Sequence, residues 1–417
     1  MRRLPAKTVY YGLELLLRWP TWVVMAVYLV RELHFSPLQL VLMGTAMEAA
    51  VFLCEIPTGV VADTYSRRLS LIIGFLGMGT AWVAVALVSA PWAIILLWAF
   101  WGLSYTFTSG AYEAWITDEV GRENVGGLFL RGMRFGYVGA LVGLVVQVAI
   151  GTVSLRWGVI AGGAVTIACG LACIFVMPET AFRRRPRAER ASALGELRRT
   201  ALGGARFAWA QSIILLLIGV ELFMGMSSEA FDRLKEAHFL RDVGLPAVGH
   251  LDPVIWFGIF WLAGMVLGFV AIGWLIKRVE RGGRKAITHS LFVFTLMEMA
   301  AMLVFALTGS TWLAIAALLG VFFARDLAGP LYTTWLNQQI TDSSVRATVL
   351  SISGQANAIG QAGGGPVLGV IGNVWGIRVA LAAGAVVIAP ALGLYARAIA
   401  HHGHEPELED LPSAVEA

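Results

Sequence analysis

The segment Gly59-Val60-Val61-Ala62-Asp63-Thr64-Tyr65-Ser66-Arg67-Arg68 connects two long apolar runs, residues 38–62 and 69–89. Each run is long enough to cross the hydrocarbon core of a bilayer as an α-helix, which takes about 20 residues. The polar residues between the runs, an aspartate followed by two adjacent arginines, then form a tight loop at the membrane surface. The sequence therefore predicts a membrane-embedded helical hairpin with a charged connection.

Ten further apolar runs of similar length flank this hairpin. They cover residues 8–33, 92–117, 125–150, 157–177, 209–231, 253–276, 285–308, 311–339, 345–372 and 376–399. Unpaired backbone amides are too costly in hydrocarbon, so these runs must be helical, and the alternation typical of a β-barrel strand is absent. We predict an all-α integral membrane protein with twelve transmembrane helices, six on each side of a central polar stretch.

The composition supports a membrane protein and excludes several classes of function. Of the 417 residues, 58% are apolar and 14% are charged, whereas soluble domains average about 45–50% and 25%. The three cysteines lie inside apolar runs without disulfide or metal-site spacing. No Gly-x-x-x-x-Gly-Lys loop is present for ATP, and no catalytic cluster lies within a span. We predict neither an enzyme nor a bound metal or cofactor.

The distribution of positive charge predicts the domain limits and the orientation. An arginine-rich stretch, residues 178–208, separates an N-terminal bundle (1–177) from a C-terminal bundle (209–400) and its tail (401–417). Its arginines suit anionic lipid headgroups, and a nucleic-acid partner is not expected. Of the 31 lysines and arginines, 21 fall on the side of the N-terminus and six on the opposite side. Both termini are therefore predicted to be cytoplasmic, in a multi-pass protein of the inner cell membrane.

A weak internal repeat relates the two halves. Trp115, Val125 and Leu130 match Trp335, Val345 and Leu350 at an offset of 220, and residues 12–15 match residues 219–222 at an offset of 207. We predict that a polar connection over residues 232–252, on the extracytoplasmic side, accounts for the difference. Repeated halves that face each other across a central site are a common plan for transporters.

The loop Gly59–Arg68 resembles the signature loop of the major facilitator superfamily, which has a glycine, three residues, an aspartate and then a basic pair four residues on. The loop departs from the pattern at Val61, Thr64 and Ser66. The resemblance covers essentially the whole chain and implies two six-helix bundles that rock about a central cavity.

The resemblance also implies a gating role for the loop. Gly59 would permit close helix approach, and Asp63 would face the positive end of a neighbouring helix. Arg67 or Arg68 would reach a carboxylate at the end of the fourth span, for which Asp118 is the candidate. These contacts would hold the cytoplasmic side closed. The alternative is that the arginines serve only to set the topology.

Ionisable residues inside the spans are the second signal, because each costs about 2.5–3.5 kcal/mol on insertion scales. The resemblance implies that the first, fourth, seventh and tenth spans line the cavity, and these spans carry Glu14, Arg18, Glu113, Glu221, Arg325 and Asp326. Glu14 and Arg18 are four residues apart and can pair. Glu221 lies near mid-membrane and is either a proton carrier or a structural hydrogen-bonding group. Arg325 and Asp326 are predicted to form a structural pair.

The predicted function is secondary active transport of a small molecule by alternating access, performed by a monomer in the lipid bilayer. The aromatic and weakly charged cavity spans favour proton-coupled export of amphipathic or drug-like compounds. The alternative is proton-coupled uptake of a small nutrient or metabolite, which Gln355, Asn357 and Gln361 keep open. A membrane receptor or scaffold without transport activity is the minor alternative.

Overall fold

A computed structural model describes residues 3–182, 206–249, 251–340 and 345–402, and these residues form helices joined by short loops. Most of the central stretch and of the predicted tail, residues 183–205 and 403–417, lies outside the described residues. Within these described residues, eleven helical stretches are long and apolar enough to cross a membrane. The predicted eleventh span forms the 30-residue helix Arg346–Trp375 but is not among them, because glycines and amide side chains make it less apolar. The number twelve stays a prediction.

The helices of the first half, residues 3–182, are α1 (Ala6–Leu17), α2 (Thr21–Arg31), α3 (Pro37–Thr64), α4 (Arg67–Leu87), α5 (Pro91–Thr106), α6 (Ala111–Val120), α7 (Val125–Val153) and α8 (Leu155–Val176). Those of the second half, residues 206–402, are α9 (Ser212–His238), α10 (Pro253–Leu307), α11 (Thr311–Gln339), α12 (Arg346–Trp375), α13 (Ile377–Val386) and α14 (Ala389–His402). Helix α10 contains the eighth and ninth predicted spans.

The first and fourth spans are each interrupted. Helix α1 ends before Trp19-Pro20, and α2 begins directly after it. In the fourth span, α5 and α6 are separated by a turn in which Gly110 has a positive φ of 71°. Two buried hydroxyl groups bind carbonyls at this turn: Thr58 donates to Thr106 (3.1 Å) and Ser70 donates to Phe107 (2.7 Å). The second interruption is therefore stabilised by neighbouring helices, which supply the donors that a broken helix lacks.

The seventh span is longer than the sequence predicted. Helix α9 runs to His238 and continues as a π-helical turn over Phe239–Val243, so the predicted connection from residue 232 was wrong at its beginning. The physical reason is pairing inside the protein: Asp232 binds Arg325 and Arg233 binds Glu229. Charges that find buried partners do not require the helix to end at the membrane surface.

The two halves touch at one face of the bundle. We call the face with the loop 59–68, Gly121 and Met177 the terminal face, and the face with Ser154, Thr308 and Gly376 the distal face. At the distal face, the Leu38 amide donates to Asn373 Oδ1 (3.0 Å) and Arg241 donates to the Phe35 carbonyl (2.7 Å).

At the terminal face the loop is open. A methyl group added at Gly59 would have no neighbouring atom within 4 Å, and Asp63 is 58% exposed. The described arrangement is thus closed at the distal face and open at the terminal face.

Candidate functional site

Arg67 anchors the charged loop to the fourth span. Its guanidinium group contacts the Asp118 carboxylate and donates to the Ala114 carbonyl (2.6 Å). Asp63, at the end of α3, lies 3.8 Å from Arg67 at the start of α4. The predicted contact between Arg67 and Asp118 is therefore present, and it lies within the first half. Among the described residues, nothing lies within 4 Å of a methyl group added at Gly59, and the one ion pair of Asp63 is with Arg67 of the first half.

Arg68 connects the same loop to the sixth span by hydrogen bonds. It donates to the carbonyls of Cys173 (3.2 Å) and Ile174 at the end of α8. Glu179, just beyond α8, accepts hydrogen bonds from the Ser66 hydroxyl (2.7 Å) and from the Arg68 amide (2.9 Å). Sequence reasoning missed Glu179. Its position just after a span, like that of Asp118, is the signal that could have identified it.

A cavity of about 320 Å³ lies within the first half. Its walls include a cluster of aromatic side chains, so we call it the aromatic cavity. Trp22 meets Trp101 edge to face with ring centroids 5.1 Å apart and Trp82 at 5.4 Å, and Trp101 stacks on Tyr105 at 5.6 Å. The residues of both helix interruptions, Arg18 and Trp19 in the first span and Thr108 to Gly110 in the fourth, also line it.

Three of the predicted cavity residues, Glu14, Arg18 and Glu113, line the aromatic cavity. Glu14 is 6% exposed and pairs with Arg18 at 3.1 Å, one helical turn away, as predicted. Glu113 is exposed, and no described side chain forms an ion pair with it. Because Glu14 and Arg18 compensate each other, Glu113 gives this cavity a net negative charge.

A second, smaller cavity of about 190 Å³ lies in the second half, and we call it the polar cavity. Glu221 and Arg325 line it, as do Glu298, Tyr332 and Asn357. Asn357 donates to Glu221 Oε2 (2.7 Å), and Gln361 donates to Asn357 (2.8 Å). Two of the remaining predicted residues thus line this cavity, and two amide side chains that the sequence analysis singled out, Asn357 and Gln361, form a hydrogen-bonded chain to Glu221.

Arg325 does not form the pair with Asp326 that the sequence predicted. Its Nε donates to Glu298 Oε1 (2.6 Å) and its Nη1 donates to Asp232 Oδ1 (2.8 Å). The guanidinium group also lies over the Phe231 ring, 4.9 Å from the centroid. Glu298 is 1% exposed, and its position within the ninth span was the signal for this contact. Asp326 lies in neither cavity.

A further ion pair lies between the halves. Glu229, which is 1% exposed, binds Arg233 at 3.1 Å. The pair packs directly against the backbone of α3 at Gly44, and Arg233 lies 5.2 Å from the ring centroid of Trp98. On the other side, a methyl group added at Gly365 would come within 2.9 Å of Glu229 Cγ. Sequence reasoning missed this pair because it assigned Arg233 to a loop.

The internal repeat relates the two cavities. Glu14 and Glu221, at the offset of 207, line the aromatic and the polar cavity respectively. Tyr112 and Tyr332, at the offset of 220, do the same. Trp115 and Trp335, which match at the same offset, are both buried, at 1% and 0% exposed. Each half thus presents a glutamate from its first span and a tyrosine from its fourth.

Comparisons with known proteins agree with this architecture. The family model described as "Major Facilitator Superfamily" matches residues 9–364. The chain is 20% identical over 389 residues to the uncharacterized MFS-type transporter YxaM of Bacillus subtilis (strain 168), covering 92% of each.

Similar solved structures include the nucleoside transporter NupG, with a TM-score of 0.74, 14% identity and 96% of this chain and 100% of that chain covered. A bacterial homolog of the human lysosomal transporter Spinster, inward-facing and unoccupied, has a TM-score of 0.71, 14% identity and 95% and 96% coverage. At such identities the structures show the fold alone. With the family match over most of its length, this chain belongs to the Major Facilitator Superfamily of membrane transporters.

Proposed function

We propose that this transporter exports amphipathic, drug-like compounds, in particular aromatic organic cations, in exchange for protons. The aromatic cavity is the observation that carries the proposal. Its indole rings offer π faces to a cation, and Glu113 supplies a negative charge that no described side chain neutralises. Cation–π contacts contribute about 0.5–1 kcal/mol each at exposed sites and about 2 kcal/mol when desolvated. A positively charged aromatic compound complements this cavity better than a sugar or an anion does.

Alternating access is supported by the contrast between the two faces. We propose that the terminal face is cytoplasmic, in agreement with the excess of lysine and arginine on that side. Both termini then lie in the cytoplasm. We propose in addition that the chain acts as a monomer in the inner cell membrane. Gly59 and Asp63 face open space in the described arrangement. On closure of the terminal face, the second half approaches them while Arg67 and Arg68 hold the loop in place.

Glu221 is our candidate for the proton carrier. Protonation of Glu14 would break its ion pair with Arg18, in which the glutamate is 6% exposed and the arginine 59% exposed. The partner of Glu221 is the neutral amide of Asn357, so protonation there leaves no cation unpaired. The two glutamates thus differ in role: Glu14 is a fixed charge of the substrate cavity, and Glu221 carries the proton.

One observation favours the alternative, proton-coupled uptake of a small polar nutrient. Glu298 and Arg325, which line the polar cavity, each have one buried atom without a hydrogen-bond partner in the described residues, Oε2 and Nη2 respectively. An unsatisfied acceptor and an unsatisfied donor on two residues of the cavity wall could bind a small molecule through complementary hydrogen bonds. The cavity volume of about 190 Å³ is below the usual range of about 300–1,000 Å³ for ligand pockets, so we rank uptake second.

The proposal is tested by the accumulation of ethidium in efflux-deficient cells that express the protein. Wild type should lower accumulation, and a protonophore should restore it. Glu113→Gln and Glu221→Gln should each abolish most of the difference. The matched control is Glu32→Gln, which removes an exposed carboxylate between α2 and α3 and should behave like wild type.

Each substitution reports on a different part of the proposal. If Glu113→Gln loses export and Glu221→Gln does not, the result supports the aromatic cavity as the substrate site and contradicts the role of Glu221 as the coupling residue. Unchanged ethidium accumulation in cells with confirmed membrane expression would contradict export of organic cations. Uptake of a nutrient would then become the leading candidate.

A further inference from the structure

Asp326, the predicted cavity residue that joins neither cavity, lies in a separate groove of about 390 Å³. The groove runs between α7 of the first half and α10 and α11 of the second, so we call it the seam groove. Its principal walls are Tyr137, Trp261, Gly268, Phe269, Phe322 and Asp326. The groove therefore combines aromatic side chains with one carboxylate.

The Asp326 carboxylate is exposed in the groove midway along α11. No described side chain forms an ion pair with it, because the adjacent Arg325 points away to Glu298 and Asp232. An ionisable residue inside a transmembrane span is costly and, by default, indicates a functional site. A carboxylate without a cationic partner at this depth is suited to a cationic ligand.

Two glycines of α10 shape the groove. A methyl group added at Gly268 would collide with the Asp326 carboxylate, and one added at Gly264 would come within 2.7 Å of the Phe322 ring. The glycines are four residues apart on α10, and their partners are four residues apart on α11. Small residues at this spacing let two membrane helices approach closely. The carboxylate is thus held against the backbone of α10 at the floor of the groove.

The outer rim of the groove is apolar. Val266, Phe269 and Val270 on α10 are 52%, 72% and 65% exposed, and Tyr137 on α7 is 43% exposed. Nearer the distal face α7 and α10 are in contact, since a methyl group at Gly258 would lie 2.9 Å from Val148. The groove lies further toward the terminal face, between Tyr137 of α7 and the segment 261–272 of α10. In a membrane-spanning protein, an exposed apolar rim of this kind faces lipid.

We propose that the seam groove binds lipophilic organic cations that partition into the bilayer and presents them at the boundary between the two halves. Aromatic walls and a single carboxylate at mid-membrane depth match a cation with aromatic groups. The groove volume falls within the range of about 300–1,000 Å³ for small-molecule sites. The inference rests on the proposed function for its ligand class, but it assigns a different site, reached from lipid.

The test is equilibrium binding of radiolabelled tetraphenylphosphonium to the full chain in lipid nanodiscs, with empty nanodiscs subtracted. All variants are made in a Glu113→Gln background, so that the aromatic cavity is impaired and the groove dominates. Asp326→Asn should weaken binding about tenfold, and Asp326→Glu should retain it. Phe269→Ala should also weaken binding. The matched control Val270→Ala, on the same rim but outside the groove, should not.

The outcomes separate the groove from the proposed function. Binding that depends on Asp326 supports the groove even if cells show no ethidium export, in which case only the proposed function fails. Equal affinity in Asp326→Asn and its parent overturns the groove, whether or not export depends on Glu113. Failure of the Glu113→Gln parent to bind the probe overturns it as well. Because Asp326→Glu keeps the charge, its binding distinguishes loss of the ligand contact from misfolding.

Discussion

Gly44→Ala should shift this transporter away from the distal-closed arrangement. Gly44 lies where α3 meets the buried pair Glu229–Arg233, and a methyl group there would overlap both side chains. Glu229 is also packed on its other side, against Gly365 of α12. A methyl group added at Gly365 would lie only 2.9 Å from Glu229 Cγ, so the side chain has no room to move in that direction. The added carbon must therefore either separate the ion pair or push the halves apart.

The magnitude follows from the cost of overpacking, which is about 1–3 kcal/mol for an added methyl group in a filled interior. The distal-open arrangement does not bear this cost, because separation of the halves removes Glu229 from α3. A difference of about 1–3 kcal/mol changes the ratio of two states by roughly 5–150-fold. A protein that is mainly distal-closed would thus become mixed or mainly distal-open.

Distances between spin labels measure this shift directly. In a background without the three native cysteines, one label pair is placed at the distal face on Val153 and Leu307, which are 88% and 63% exposed. A second pair on the exposed residues Glu123 and Gln338 reports on the terminal face. In Gly44→Ala the distal distances should lengthen and the terminal distances should shorten.

The matched control is Gly12→Ala, in a membrane helix where an added methyl group has no neighbour within 4 Å. It should leave both distance distributions unchanged. Identical distributions in Gly44→Ala and wild type, with both proteins folded, would refute the role assigned to the Glu229–Arg233 pair at the distal contact.

Three further predictions concern stability and the charged loop. Trp115→Ala should lower the free energy of unfolding by about 3–5 kcal/mol, which is measured as a lower melting temperature in detergent. The control Trp92→Ala, at a site 69% exposed, should not lower it. Equal melting temperatures of the two variants would contradict the burial of Trp115. Thr58→Val leaves a carbonyl at the turn of the fourth span without its donor and should cost about 1–3 kcal/mol by the same assay. Asp118→Asn removes the ionic contact to Arg67 and should slow dye export about 2–5-fold, equivalent to ~0.5–1 kcal/mol for a partly exposed pair. Expression and melting temperature should stay unchanged. A wild-type export rate would indicate that the arginines of the loop serve only to set the topology.

The contacts that the sequence predicted correctly are those fixed by local spacing or by a motif. Glu14 and Arg18 pair because residues four apart lie on the same face of a helix. Arg67 meets Asp118 because the signature loop and the end of the fourth span lie at the same membrane surface. The helices themselves follow from long apolar runs, which need no knowledge of their neighbours.

The partners of Arg325 could not be predicted in this way. Consecutive residues of a helix point about 100° apart, so Arg325 and Asp326 face different surroundings although they are adjacent in sequence. Arg325 turns toward Glu298 and Asp232, whereas Asp326 turns into the seam groove. The choice between these faces depends on how α11 packs against α9 and α10, which no local pattern specifies. The same long-range pairing lets α9 continue beyond residue 231.

The internal repeat and the helix interruptions together suggest why the two cavities differ. The first and fourth spans are interrupted beside the aromatic cavity, whereas their counterparts α9 and α11 are continuous at the polar cavity. Interrupted helices free backbone groups and give side chains such as Trp19 and Thr108 positions that a continuous helix does not offer. Continuous helices instead keep Glu221 and Arg325 in fixed register with their partners. Under the proposed function, a repeat that began with equivalent halves would in this way acquire an adaptable site for organic compounds in one half and a rigid site for a proton in the other.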